Sequence, residues 1–129
     1  MAEAGLITVP SRYSPKDTAD RLQADLTGKG ATIFARIDHA AGAVEVGMAM
    51  PPAVLVIYGH PKGGTPIMLD TPAAALDLPL RILVRENSEG RTLVSFRPVV
   101  PQLVRAGVAE ALARRLEPAQ QVVVSAIRS

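Results

Sequence analysis

The chain has no cysteine and no tryptophan, and only two tyrosines and two phenylalanines. Without thiols there is no disulfide framework, no thiolate metal site and no cysteine nucleophile. With aromatics at 3%, the core has to be built from Val, Leu, Ile and Ala. No apolar run reaches the roughly 18 residues of a membrane span, so no membrane partner is expected. Residues 1–6 lack a basic stretch followed by an apolar one, so no secretory signal is read and the expected location is cytoplasmic. A dominant charge is missing too: 14 basic residues stand against 12 acidic ones, for a net charge of +2. From Arg97 onward five Arg outnumber two Glu, an excess that fits a solvated helix face. No strand interleaves basic and aromatic residues as a base-stacking surface would, and no nucleic-acid partner is expected.

What is present suffices for one domain, residues 1–129. A chain of this length buries roughly two thirds of its unfolded surface, and 48% of its residues are hydrophobic. A short strand over 6–10 comes first. Ser14-Pro15-Lys16-Asp17 then reads as an N-cap, a first-turn proline and a capping acid, opening a helix from Pro15 to about Thr27. Leu22 and Leu26 lie one turn apart, and Gly28 and Gly30 stop it. Alternation predicts a strand over 32–38, with Ile33, Ala35 and Ile37 on one face and Phe34 and Arg36 on the other. Residues 39–47 are small and ambiguous, with room for a helical turn. Ala53 to Tyr58 is a continuous apolar run, as expected of a central strand covered on both faces. Short helical segments are predicted at 66–69 and 72–76, and strands at 80–86 and 91–96 joined by the Asn87–Gly90 turn. An apolar stripe from Leu103 to Leu116 predicts one helix over about 101–116. The segment after Pro118 reads equally as helix or strand. The order β-α-β-β-β-β-α implies an α+β, two-layer architecture: a mainly antiparallel curved sheet with helices on one face.

Four blocks in order carry a resemblance. They are Ile37-Asp38-His39-Ala40-Ala41-Gly42-Ala43, Val46-Gly47-Met48, Gly59 to Met68, and Leu76-Asp77-Leu78-Pro79-Leu80. Together they resemble domain-of-unknown-function family 302, over about Tyr13 to Pro98. The resemblance implies an antiparallel β-α-β4-α fold similar to the TATA-box-binding-protein half-domain, and no established activity. Three places depart from the family's usual pattern. His60 stands where Asn is common, Arg85 where a Trp is common, and Ser95-Phe96-Arg97-Pro98 where the return strand commonly ends in a Tyr-Asn-Asp type sequence.

The candidate site is the stretch Gly59-His60-Pro61-Lys62-Gly63-Gly64-Thr65-Pro66-Ile67-Met68, read as a loop at the end of an apolar strand. Amides of Gly63, Gly64 and Thr65 at the start of a helix, with the Lys62 ammonium, would hold a small anionic group. The spacing fails the P-loop pattern, which needs Lys and Ser/Thr where this chain has Thr65 and Pro66. His60 and Lys62 would share a rim with His39 if the strand ends are adjacent, with the Asp77-Leu78-Pro79 segment beside them. The ligand set is thus His39, His60, Lys62, Gly63, Gly64 and Thr65; no metal is assigned and the cofactor is unknown. Two other classes stand beside this reading: an enzyme using His39 near Lys62 for acid–base chemistry, and a structural or interaction module in which the glycines serve turns with φ > 0. Met48, Met50 and Met68 are expected in the core. A homodimer is expected because an open sheet leaves edges to cover.

Overall fold

The computed structural model describes residues 5–128, so the readings of residues 1–4 and of Ser129 lie outside the described residues. Five antiparallel strands form one sheet in the order β1-β5-β4-β3-β2: β1 Ile7–Ser11, β2 Thr32–Asp38, β3 Ala53–Gly59, β4 Leu80–Glu86 and β5 Thr92–Phe96. Strands β2 to β5 are a meander, and β1 returns to pair with β5. The α-helices among the described residues are α1 Pro15–Gly28, α2 His39–Glu45, α3 Pro61–Asp70, α4 Val99–Arg105, α5 Glu110–Ala113 and α6 Glu117–Arg128, with short 3-10 segments at Pro72–Leu76 and Arg114–Leu116. The expected α+β order stands, with α2 and α3 filling connections.

Helix α1 begins as its sequence dictates. The Ser14 hydroxyl accepts the Asp17 N–H at 3.1 Å, and Pro15 takes the first helical position. Three helices stop by one device. Gly30, Gly47 and Gly107 have φ of 88°, 77° and 102°, a region closed to most side chains. At each, the following residue donates back into the helix: Ala31 to Leu26, Met48 to Ala43 and Val108 to Leu103. This is the Schellman pattern. It resolves residues 39–47 as helix, and it corrects the helix expected over 101–116. Gly107 ends α4 at its centre, and the chain turns before restarting as α5. The tail after Pro118 is helical because Gln120, Val123 and Ile127 recur at helical spacing and are buried.

One face of the sheet carries the core. Val54, Val56 and Tyr58 from β3, Leu80, Ile82 and Val84 from β4 and Val94 from β5 pack with Leu22, Leu26, Leu103, Val123 and Ile127 of the helices. The Tyr58 hydroxyl donates to the Ala119 carbonyl at 3.0 Å, and its burial pushes its pKa upward. Leu55 and Ile57 point the other way and are half-buried, so β3 is central within the sheet without being covered on both faces. Strand β2 also departs from simple alternation. Its register slips at Phe34, so that Ile33 lies opposite Tyr58 and Arg36 opposite Val56, both toward the helices. Arg36 there pairs with Asp20 of α1 at 2.6 Å. Ala35 and Ile37 face the open side with Ile57 and Leu55, because one extra residue inverts every side chain beyond it.

Candidate functional site

The glycine-rich stretch is mostly helix. Gly59 ends β3, His60 is the N-cap and Pro61 opens α3. The Gly63 and Gly64 N–H groups donate to the His60 carbonyl at 2.8 and 2.9 Å. Amides bonded within their own first turn are not available to cradle an anion, which corrects the expected loop mechanism. Lys62 and Thr65 are exposed, and Lys62 forms no ion pair with a described residue. Gly59, Gly63 and Gly64 do not have positive φ either. Gly63 and Gly59 permit close approach: a Cβ on Gly63 would lie 3.2 Å from Leu116 Cδ2, and one on Gly59 would lie 3.4 Å from Phe34 Cε2.

His39 is elsewhere. Strand β2 runs antiparallel to β3, with Asp38 opposite Val54 and Thr32 opposite Gly59. His39, just beyond Asp38, therefore sits at the other end of the sheet from His60. At about 3.3 Å per residue, the two ends are roughly 17 Å apart. Asp38 does not orient the imidazole; its Oδ1 accepts the Ala41 N–H at 2.9 Å and caps α2. The shared rim of His39, His60 and Lys62 is not formed, and the acid–base pair read from the sequence has no geometric basis. Among the described residues no group of three or more His, Cys, Asp or Glu side chains could hold a metal ion. Met48 and Met50, expected in the core, are 67% and 43% exposed. They follow Gly47 on the connection to β3, beyond the helical layer; Met68, in α3, is half-buried.

Two hollows have walls where β3 finishes and β4 begins, and the larger runs on along β4 to Arg85, opposite Ala53 at the start of β3. The larger is a cleft of about 480 Å³ between β4 and the departing end of β5. Strand β4 pairs with β5 only from Leu83 to Glu86; its first residues, Leu80 to Ile82, pair with β3 alone. Beyond Phe96 the chain turns through Arg97 and Pro98 into α4. Gln120 of α6 holds that corner: its Oε1 accepts the Val99 N–H at 3.0 Å and its Nε2 donates to the Arg97 carbonyl at 2.8 Å. The charged lining is Arg81, Arg85 and Arg97 against one carboxylate, Asp77, with Gln102 alongside. Arg81 and Arg85 share the open face with Leu83 between them, and neither forms an ion pair with a described residue. The smaller hollow, about 110 Å³, is an apolar slot beneath α3 lined by Phe34, His60, Gly64, Met68, Leu78 and Pro79 among others. The His60 Nε2 is 3.5 Å from the Lys29 carbonyl at its edge.

Reading single motifs along the chain missed the arginine cleft, because its residues come from separate segments. A signal existed. Arg81 and Arg85 alternate with Leu80, Ile82 and Val84, which places two cations on one face of a strand. Arg85 and Arg97 are also two of the positions that depart from the family's usual residues, and both line this cleft.

The chain belongs to the domain of unknown function family DUF302, whose model matches residues 7–128. The match extends past both ends of the stretch that carried the resemblance. The crystal structure of an uncharacterized conserved DUF302 protein from Bacillus stearothermophilus superimposes with a TM-score of 0.83 over 98% of each chain, at 15% identity, which establishes the shared fold. Two curated relatives are "Fluoride-specific ion channel FluC 1" of Brucella suis biovar 1 and of Brucella abortus biovar 1. Each is 43% identical over 89 residues, or 69% of this chain. The matched stretch is 35% and 33% of those proteins, so the chain spans about a third of their length. No described helix of this chain is long and apolar enough to cross a membrane.

Proposed function

We propose that this domain binds a small organic anion in the cleft between β4 and the end of β5. One observation carries this reading: three arginines and a single carboxylate line one hollow, and two of those arginines lack an acidic partner among the described residues. A guanidinium presents a planar fork of donors that fits a carboxylate or phosphate in a bidentate manner. Gln120 fixes the main chain on either side of Pro98, so the corner carrying Arg97 is held before a ligand arrives. A hollow of about 480 Å³ exceeds what a bare halide fills and suits an organic anion of several heavy atoms. The names of the curated relatives support an anion as the class of partner.

Titration of the chain with acetate, phosphate and fluoride, followed by amide chemical shifts at constant ionic strength, tests the reading. Acetate or phosphate is expected to move the signals of residues 77–81 and 95–97. The double variant Arg81→Ala, Arg85→Ala is expected to weaken binding at least about tenfold, since charge-assisted hydrogen bonds contribute roughly 1.5–3 kcal/mol each. Fluoride alone moving those signals would favour a halide-sensing role over an organic ligand. Shifts scattered over the surface, unchanged in the double variant, would remove the site.

A homodimer is a second part of the proposal. Val44, Val46, Met48 and Met50 of α2 and the following connection are exposed, as is Ile37 of the edge strand β2. Exposed apolar side chains together with an unpaired strand edge suit a second copy of the chain, and sedimentation velocity reads the association directly.

A further inference from the structure

We infer that the ligand is amphiphilic, a carboxylate whose apolar body, a ring or compact branched chain, seats in the slot beneath α3; this rests on the arginine cleft being an anion site. The two hollows are neighbours with common walls, for Pro79 and Leu80 line both. One side of that partition offers guanidiniums. The other offers Phe34, Met68 and Leu78, with His60 as the single titratable group. Apolar pockets on the order of 150 Å³ bind benzene in proteins, and a slot of about 110 Å³ that is open to solvent can take a ring that stays partly exposed. Phe34 stands at its mouth, 52% exposed on the β2 bulge, where it can stack on a planar group.

Gly64 points the same way. It lies inside α3 without positive φ, and an added Cβ would meet Met68 Cε at 3.8 Å and Leu78 Cδ1 at 3.9 Å, ordinary contacts. Alanine would fit and would favour the helix. What glycine preserves there is the empty space: Met68 and Leu78, the atoms a methyl would touch, are slot walls. Gly63 differs, because Leu116 already approaches it and its lack of a side chain is needed for packing.

The probes are acetate, benzoate, phenylacetate and 3-phenylpropanoate, which carry the same head with a ring at increasing reach. Calorimetry gives the affinities, and intermolecular NOEs locate the ring. At least one aryl acid is expected to bind about tenfold or more tighter than acetate, since burying a ring removes substantial apolar area from water. Its ring protons should contact the Met68 and Leu78 methyls. In Gly64→Ala, which should fold at least as well as the parent, the aryl acid should lose most of that advantage while acetate is unchanged. Aryl acids equal to acetate, or a ring with no contact to the slot, would overturn the amphiphile and leave the anion site standing. Failure of all four acids to bind, with Arg81→Ala, Arg85→Ala indistinguishable from the parent, would remove the anion site itself.

Discussion

Gln120 joins the fold to the cleft, so its replacement offers a severe test. It is 8% exposed on α6, and both ends of its amide bond main chain: the Val99 N–H at 3.0 Å and the Arg97 carbonyl at 2.8 Å. Val99 itself is 1% exposed, so its N–H has little access to water. Gln120→Leu retains bulk and removes both partners. Stranding the buried Val99 N–H costs about 1–3 kcal/mol and losing the part-buried bond to Arg97 about 0.5–1.5 kcal/mol, so the expected loss is about 1.5–4.5 kcal/mol. With unfolding entropy near 2.1 cal/mol/K per residue, a domain of 129 residues loses about 4 °C per kcal/mol, so the melting temperature should fall by roughly 6–18 °C. Gln120→Glu separates the two bonds, because a carboxylate still accepts from Val99 but donates nothing to Arg97. It also brings a charge toward a buried site. Thermal and urea denaturation followed by circular dichroism measure both variants. A Gln120→Leu protein within about 0.5 kcal/mol of the parent would mean that the corner is not held by this amide, and the claim that the cleft is preorganised would go with it.

Two further outcomes follow from surface features. Hydrogen bonds from Lys16 and then Arg36 hold the Asp20 carboxyl below the usual aspartate range. A depressed folded pKa contributes stability that is present above the unfolded value near 3.9 and lost as pH falls through the folded one. Asp20→Asn should therefore flatten the decline of melting temperature below about pH 4, by a small amount because the group is exposed, and 0.5 M salt should shrink the difference; parallel curves would leave the α1–β2 clamp without energetic weight. For the dimer, Val46→Lys with Met48→Lys should shift the sedimentation coefficient to that of a monomer at micromolar concentration, with an unchanged melting temperature extrapolated to low protein. A parent chain already monomeric at high concentration would dismiss that interface.

Local chemistry was readable from residues a few positions apart. The Ser14-Pro15-Lys16-Asp17 start, the Asn87–Gly90 hairpin and the 2-residue alternation of β4 each appear where the sequence puts them. Gly107 was equally readable in principle, but an apolar stripe on both sides of it, Leu103 and Val108 onward, favoured one long helix. The stripe and the break coexist because the Schellman turn keeps Leu103 and Val108 buried together. The Phe34 bulge left no comparable trace. Simple alternation groups Ile33, Ala35 and Ile37 on one face, and only pairing with β3 shows that Ile33 parts from the other two.

The candidate site shows the same division. The glycine-rich run suggested amide donors at a strand end, but Gly63 serves close packing against Leu116 and Gly64 borders the apolar slot. His39 and His60 seemed combinable because each follows a strand. Antiparallel pairing of consecutive strands sends the end of one to the start of the next, so the two imidazoles part. The chain's own order of residues thus determined the cap of its first helix, its hairpin, its apolar layer and its family, since these depend on neighbours within a turn or a strand. Which residues meet across the sheet was decided by the tertiary structure alone. Arg81, Arg85 and Arg97 line one cleft only because β5 leaves β4 at Phe96 and a glutamine from the last helix pins the corner.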